Sequence, residues 1–216
     1  EFAHTNEADA WRRYWPSGLT RPPARWTYSD GYKHMCRFFS MRWFLYLTRY
    51  AFVVRLDEDI VVRAWDVDPF EWMATSRLVY AYSVIIPEAH EETVLTMGAW
   101  LRDKRANVTD VSSMFFTNVF ASDPSWWHRQ SDVRAWLACI ERSRHIYTHR
   151  WGDAPIQTHV IRTYAPEGSV GQLRLRYDHT STLDSIDTTL GSKKERRSLS
   201  AAADGNAQCK RLLDAK

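Results

Sequence analysis

Between positions 51 and 73 the chain reads AFVVRLDEDIVVRAWDVDPFEWM, and this stretch limits the fold more than any other. Residues 52–56 are apolar and β-branched apart from Arg55, the pattern of a buried strand, and three acids, Asp57, Glu58 and Asp59, follow at its carboxyl end. Packing gives no reason for a buried strand to stop on three carboxylates. In open α/β sheets ligands bind just past the carboxyl ends of strands, so an acid-x-acid cluster there is placed to hold a divalent cation through oxygen ligands. A solvated acidic loop accounts for the same residues, since Asp and Glu are ordinarily exposed. A second acid-x-acid pair, Asp66 and Asp68, has a structural reading: Asp68 before Pro69 predicts a helix N-cap with proline at the first helical position.

The rest of the chain alternates helix and strand signals, which predicts a mixed α/β sheet. Residues 1–30 are polar, Trp-rich and broken by Pro16, Pro22 and Pro23, an irregular approach with room for one short helix over 7–14. An apolar, aromatic run at 32–50 predicts a buried helix feeding the acid-ended strand. Strands are expected at 78–86 and 114–122, and helices at 91–104, 131–144 and 156–164, the last launched by the loop HRWGDAP. From 183 to 216 Ser, Thr, Asp, Lys and Arg dominate, and so little apolar content predicts a disordered tail.

Composition excludes some classes. The 29 basic and 26 acidic residues are spread throughout, so the formal charge of +3 forms no nucleic-acid-binding stripe. No run is long enough to span a membrane, and any anchor is expected to lie outside this chain or not to exist. The 11 Trp and 10 Tyr suit stacking on sugar rings or the filling of a core. Three cysteines, Cys36, Cys139 and Cys209, have no metal-type spacing, and Asn107-Val108-Thr109 is a glycosylation sequon if the protein is lumenal or secreted.

Four strings in order carry a resemblance. YKHMCRF (32–38), RLDEDI (55–60), WDVDPFEWM (65–73) and RWGDAP (150–155) closely resemble segments of the fungal-type Golgi α-1,2-mannosyltransferases, over about residues 11–179. The resemblance implies a GT-A-type mixed sheet flanked by helices, in a partial catalytic domain over 31–182 with the N-terminal nucleotide-binding part of that fold missing. It implies GDP-mannose as donor, a mannoside on glycoprotein or glycolipid as acceptor, Mn²⁺ as cofactor, the Golgi lumen as location, and transfer with retention. A catalytically degenerate relative with a binding role is the alternative.

Residue by residue, the family's Glu-Pro-Asp segment falls on Asp57, Glu58 and Asp59, and its late histidine on His179, which makes Asp57, Asp59 and His179 the implied metal ligands. For His179 a polar position at the start of the tail competes. Asp57, Asp153 and Asn118 are the implied reacting groups, and Tyr32, His34, Arg37, Arg55, Arg150, Trp151 and Gly152 the substrate-binding set. For Asp153 and Trp151 a helix cap and a packed ring are the structural alternative, and for His34 and Arg37 a buried hydrogen-bonded role. The sequence departs from the family where a glutamate, a candidate nucleophile, is replaced by Phe120.

Overall fold

The computed structural model describes residues 29–104, 110–181 and 184–189. The helix expected at 7–14, the rest of the approach through 28, the sequon, Cys209 and the tail beyond 189 lie outside the described residues. In chain order the elements are α1 (Asp30–Met41), α2 (Trp43–Leu47), β1 (Val53–Leu56), β2 (Ile60–Trp65), α3 (Pro69–Thr75), β3 (Tyr80–Tyr82), β4 (Ile85–Pro87) and α4 (Glu91–Asp103). There follow β5 (Ser113–Phe115), β6 (Val119–Ser122), α5 (Pro124–Arg129), α6 (Ser131–Ser143), α7 (His145–Thr148), α8 (Asp153–Tyr164), β7 (Val170–Gln172), β8 (Leu175–His179) and β9 (Asp184–Asp187).

Local chemistry accounts for the boundaries. Asp68 caps α3 as expected, its Oδ1 accepting from the Phe70 and Glu71 amides at 2.8 and 3.1 Å, and Asp123 before Pro124 repeats the device on α5. The helix expected over 32–50 breaks at Arg42, whose backbone leaves the helical region at φ −123°, so α1 and α2 are separate pieces. The strand expected over 114–122 is also two, divided at 116–118.

A four-stranded sheet runs in the order β1-β6-β3-β7, antiparallel except for the parallel pair β3/β7; β2-β8-β9 form a second, antiparallel sheet, and β4-β5 a separate antiparallel pair. This is the mixed sheet with flanking helices expected from the alternation. One core, on the helical side, gathers Trp43, Phe44, Tyr80, Phe120, Trp127 and Trp136; a second, between the sheets, holds Met73, Leu78, Ala81, Leu175 and Tyr177. Most of the tryptophans among the described residues therefore fill space. Between the sheets packing is close enough to require glycine: a Cβ on Gly171 would sit 2.6 Å from the Trp72 ring.

Two expectations are corrected here. Among the described residues β1 pairs only with β6, at the edge of its sheet, and Leu56 is 47% exposed, so the stretch before the acids is half-buried rather than buried. The tail expected to be disordered from 183 begins with a strand: β9 pairs antiparallel with β8, because the open edge of β8 supplies backbone partners that apolar content does not count. Just past it, the buried Thr188 hydroxyl donates to the Leu173 carbonyl and accepts from the Leu175 amide. Thr188→Val is expected to lower the unfolding free energy by about 1–2 kcal/mol, read from urea melts, by leaving those groups unpaired.

His159 sits on α8, buried against the Trp136 ring at 4.9 Å. Burial, and then the charge of Arg162, push its imidazole down to about 3. The native chain thus stays neutral there while the unfolded chain takes up a proton below about pH 6.5, so stability is constant above that pH and falls as pH drops toward 3. Between pH 7 and pH 5 the wild type is expected to lose about 2 kcal/mol more than His159→Gln, measured by denaturant unfolding at both pH values.

Candidate active site

The acid cluster forms the joint between the two sheets. Asp57 leaves β1 with its amide donating to the Asn118 carbonyl at 3.0 Å, and the Ile60 amide returns to the Asp57 carbonyl at 3.1 Å, so Asp57-Glu58-Asp59 is a tight turn from one sheet into the other. β8 lies beside β2 with His179 opposite Ile60. That register brings His179 Nε2 to 3.0 Å from Asp59 Oδ2, and the Thr180 amide donates to the Asp59 carbonyl at 2.9 Å. A hydrogen bond from Ser181 and the charge of His179 hold the Asp59 carboxyl below its ordinary range. The Phe116 ring packs edge-on to His179 at 5.7 Å.

Asp57 faces a different partner. Arg55 grips its Oδ1 through Nε and Nη2, both at 2.8 Å, and reaches Asp153 Oδ2 with Nη1 at 2.6 Å. The guanidinium is 10% exposed and lies 3.7 Å over the Phe39 ring. Burial raises the Asp57 carboxyl above its usual range, against the pull of Arg55. One arginine therefore ties the turn after β1 to the first residue of α8. Asp153 is buried, and the Cys36 thiol beside it is pushed up to about 12, first by its own burial and then by the Asp153 charge. Burial also pushes up the Tyr32 hydroxyl, which sits against Cys36.

The loop before α8 is fixed from below. Arg150 adopts a left-handed backbone, φ 51°, held by the Thr93 hydroxyl donating to its carbonyl at 3.0 Å and by Glu88 at 3.7 Å from its guanidinium. Glu88, whose side chain is 1% exposed, also accepts from the His90 amide at 2.9 Å. Tyr32, Lys33, Cys36, Arg150, Trp151 and Gly152 line one narrow crevice.

Set against the sequence-derived residues, the fold gathers two groups. Asp59 with His179, and Arg55 with Asp57 and Asp153, meet at the β1–β2 turn; Tyr32, Arg150, Trp151 and Gly152 share the crevice. Asn118 is buried behind the turn, its Oδ1 accepting from the Tyr177 hydroxyl at 3.4 Å. Four residues sit elsewhere or do other work. Arg37 makes a bidentate pair with Glu141 on α6, Nε at 2.8 and 3.0 Å, which packs helices together. His34 is buried with Nδ1 2.9 Å from the Tyr147 hydroxyl. Trp151 is 1% exposed, its indole donating to the Thr96 hydroxyl at 3.0 Å, so it anchors the loop and presents no face for a sugar. Gly152 has an ordinary backbone and room for a Cβ, 3.5 Å from Pro155, so close approach does not require glycine there.

Glu88, Cys36 and Tyr177 are contributors that sequence reasoning passed over. Glu88 follows the carboxyl end of β4, the same signal that singled out Asp57; Cys36 lies inside the YKHMCRF string, and Tyr177 two residues before His179.

No family model matches the chain. Over 166 residues, 66% of this chain, it is 24% identical to the glycolipid 2-alpha-mannosyltransferase 1 of Candida albicans, and over 164 residues 24% identical to the glycolipid 2-alpha-mannosyltransferase of Saccharomyces cerevisiae. This chain is a relative of the fungal 2-alpha-mannosyltransferases. It spans 38% and 37% of the length of those two proteins, respectively. Its fold matches the core-mannan synthase A (CmsA/Ktr4) of Aspergillus fumigatus, solved in an Mn/GDP form, with a TM-score of 0.59 at 19% identity, over 71% of this chain and 50% of that one. The likeness establishes the GT-A-type architecture. Among the described residues no helix is long and apolar enough to cross a membrane.

Proposed function

We propose that this chain belongs to a metal-dependent, retaining α-1,2-mannosyltransferase of the Golgi lumen, which moves mannose from GDP-mannose to a mannoside on glycoprotein or glycolipid. The observation that carries the reading is the Asp59 carboxylate and His179 imidazole converging 3.0 Å apart at the joint of the sheets. An oxygen and a nitrogen donor of this kind fit Mn²⁺, and such cations commonly complete their shell with substrate phosphate oxygens and water. We assign the protein's share to Asp59 and His179; Asp57, the third expected ligand, is engaged by Arg55. A divalent cation held there supplies Lewis-acid neutralisation of a leaving diphosphate.

The chain's own residues do the rest. Arg55 fixes the Asp57 turn and the start of α8 relative to each other, so that the two loops meet a substrate as one rigid wall. Arg150, 16% exposed, lines the crevice with Tyr32 and Lys33, and its guanidinium is engaged by Glu88 at 3.7 Å. No carboxylate stands at Phe120, and Asp57 and Asp153 are both gripped by Arg55, so retention is assigned to attack on the face the leaving group departs from. The same burial of Phe120 favours the second reading, a non-catalytic relative that keeps only a binding role.

Calorimetry and a transfer assay separate the two. Mn²⁺ is expected to bind the wild type and to lose at least tenfold in affinity in Asp59→Ala and His179→Ala, with Glu58→Ala unchanged. Transfer from GDP-mannose to an α-mannoside is expected with Mn²⁺ present. Equal Mn²⁺ affinity in all variants removes the metal assignment; binding without transfer by the folded protein leaves the non-catalytic reading.

A further inference from the structure

The Arg37–Glu141 pair that joins α1 to α6 is only partly covered, its side chains 29% and 40% exposed. Arg37 contributes Nε and Nη2, the latter 2.7 Å from Oε1, which leaves Nη1 outside the pair. An open ring stands beside it. Tyr46 is 70% exposed, and its hydroxyl lies within electrostatic reach of the Arg37 guanidinium. The half-buried Phe38 ring is 5.9 Å from that of Tyr46 and tilted by 31°, so the two form one shallow shelf at the edge of the ion pair. Phe38 meets Phe39 edge-on at 5.1 Å, and Phe39 is the ring beneath the Arg55 guanidinium. The shelf therefore connects through two phenylalanines to the joint that carries Asp57.

We propose that this shelf and its ion pair bind a neutral pyranoside, as the subsite for acceptor sugars beyond the one that reacts. Only that role rests on the transferase reading; the binding itself does not. A pyranoside is amphipathic. Its C–H face covers an aromatic ring, while the hydroxyls at its rim donate to a carboxylate and accept from N–H groups, which Glu141 and Arg37 Nη1 supply at the shelf edge. The pair is neutral in sum, so it gives a phosphate or a cation no net attraction. The shelf is also small. Two such rings bury at most about 500 Å², short of the roughly 800 Å² per partner of a standard protein interface. A sugar ring matches it in size and in polarity.

Calorimetry and saturation-transfer NMR with α-mannotriose, on the full chain without nucleotide or Mn²⁺, test the site apart from metal binding and transfer. The wild type is expected to bind in the millimolar range, with an affinity that salt leaves unchanged because the ligand is neutral. Tyr46→Ala, at an exposed position, and Glu141→Gln, which keeps the shape and removes the charge, are each expected to weaken binding about fivefold. Tyr46→Phe, which keeps the ring, is expected to retain it, and circular dichroism should show all three folded. No binding by the folded wild type, or wild-type affinity in Tyr46→Ala or Glu141→Gln, overturns the assignment. So does concentration-dependent self-association that Tyr46→Ala removes, since the shelf would then join two copies of the chain. Binding by a chain that shows no transfer supports the site and removes only its acceptor role.

Discussion

Arg55→Met is expected to lower the unfolding free energy by about 3–5 kcal/mol, a loss of roughly 6–20 °C in thermal midpoint for a chain of this size. Among the described residues Arg55 is the cation paired with Asp153, which is 7% exposed in its side chain, and it also holds Asp57. Methionine keeps much of the packing over Phe39 and removes the charge, so a buried carboxylate remains with the Cys36 thiol as its main neighbour. The pair itself need not stabilise the fold relative to apolar residues; breaking half of it is what costs. Asp153→Asn added to Arg55→Met should therefore recover part of the loss, a coupling that denaturant melts of the two single variants and the double variant would measure. A loss under about 1 kcal/mol in Arg55→Met would mean that water already screens the network.

Phe120→Glu is the second large effect, and it separates packing from chemistry at the position where the resemblance suggests a nucleophile. Phe120 is 1% exposed, stacked on Tyr80 at 5.4 Å and edge-on to Trp43 at 5.7 Å. Losing the ring costs about 3–5 kcal/mol, and the carboxylate adds a desolvation penalty. The nearest cation, Arg55, has its guanidinium 6.0 Å from the ring and is already divided between two acids. Phe120→Glu is thus expected to unfold at much lower urea than the wild type and to show no gain in mannosyl transfer, while Phe120→Leu loses only about 1–1.5 kcal/mol. A folded Phe120→Glu protein with faster transfer would show that the position faces substrate.

How much of this was legible depended on whether the signal was local. The Asp68 cap, α4 and α6 follow from caps and from 3.6-residue periodicity, and each appears where the pattern puts it. β2 is absent from the expected strands because IVVRAW directly follows the acids with no turn residues to mark its start. β8 was missed although Leu173, Leu175 and Tyr177 alternate with Arg174, Arg176 and Asp178, the period of a half-buried strand. β9 has no such signal; its order comes from a neighbour's open edge. The site shows the same division. That Asp57 and Asp59 lie at a strand end was readable. That they serve different partners, Arg55 and His179, was not, because adjacent turn residues point apart in a way only the two-sheet junction determines.

That junction gives the site a mechanical property. Asp59 and His179 are carried by neighbouring strands of the smaller sheet, whereas Arg55 and its grip on α8 belong to the larger one. Sliding of one sheet over the other would change the spacing between the two groups and leave each internally intact, with the Glu58 peptide as the pivot. Strain introduced at Gly171, where Trp72 and Leu78 leave no room for a methyl group, would be transmitted along that slip plane to the distance between them. The spacing between the two halves of the site is therefore adjustable by substitutions that touch neither.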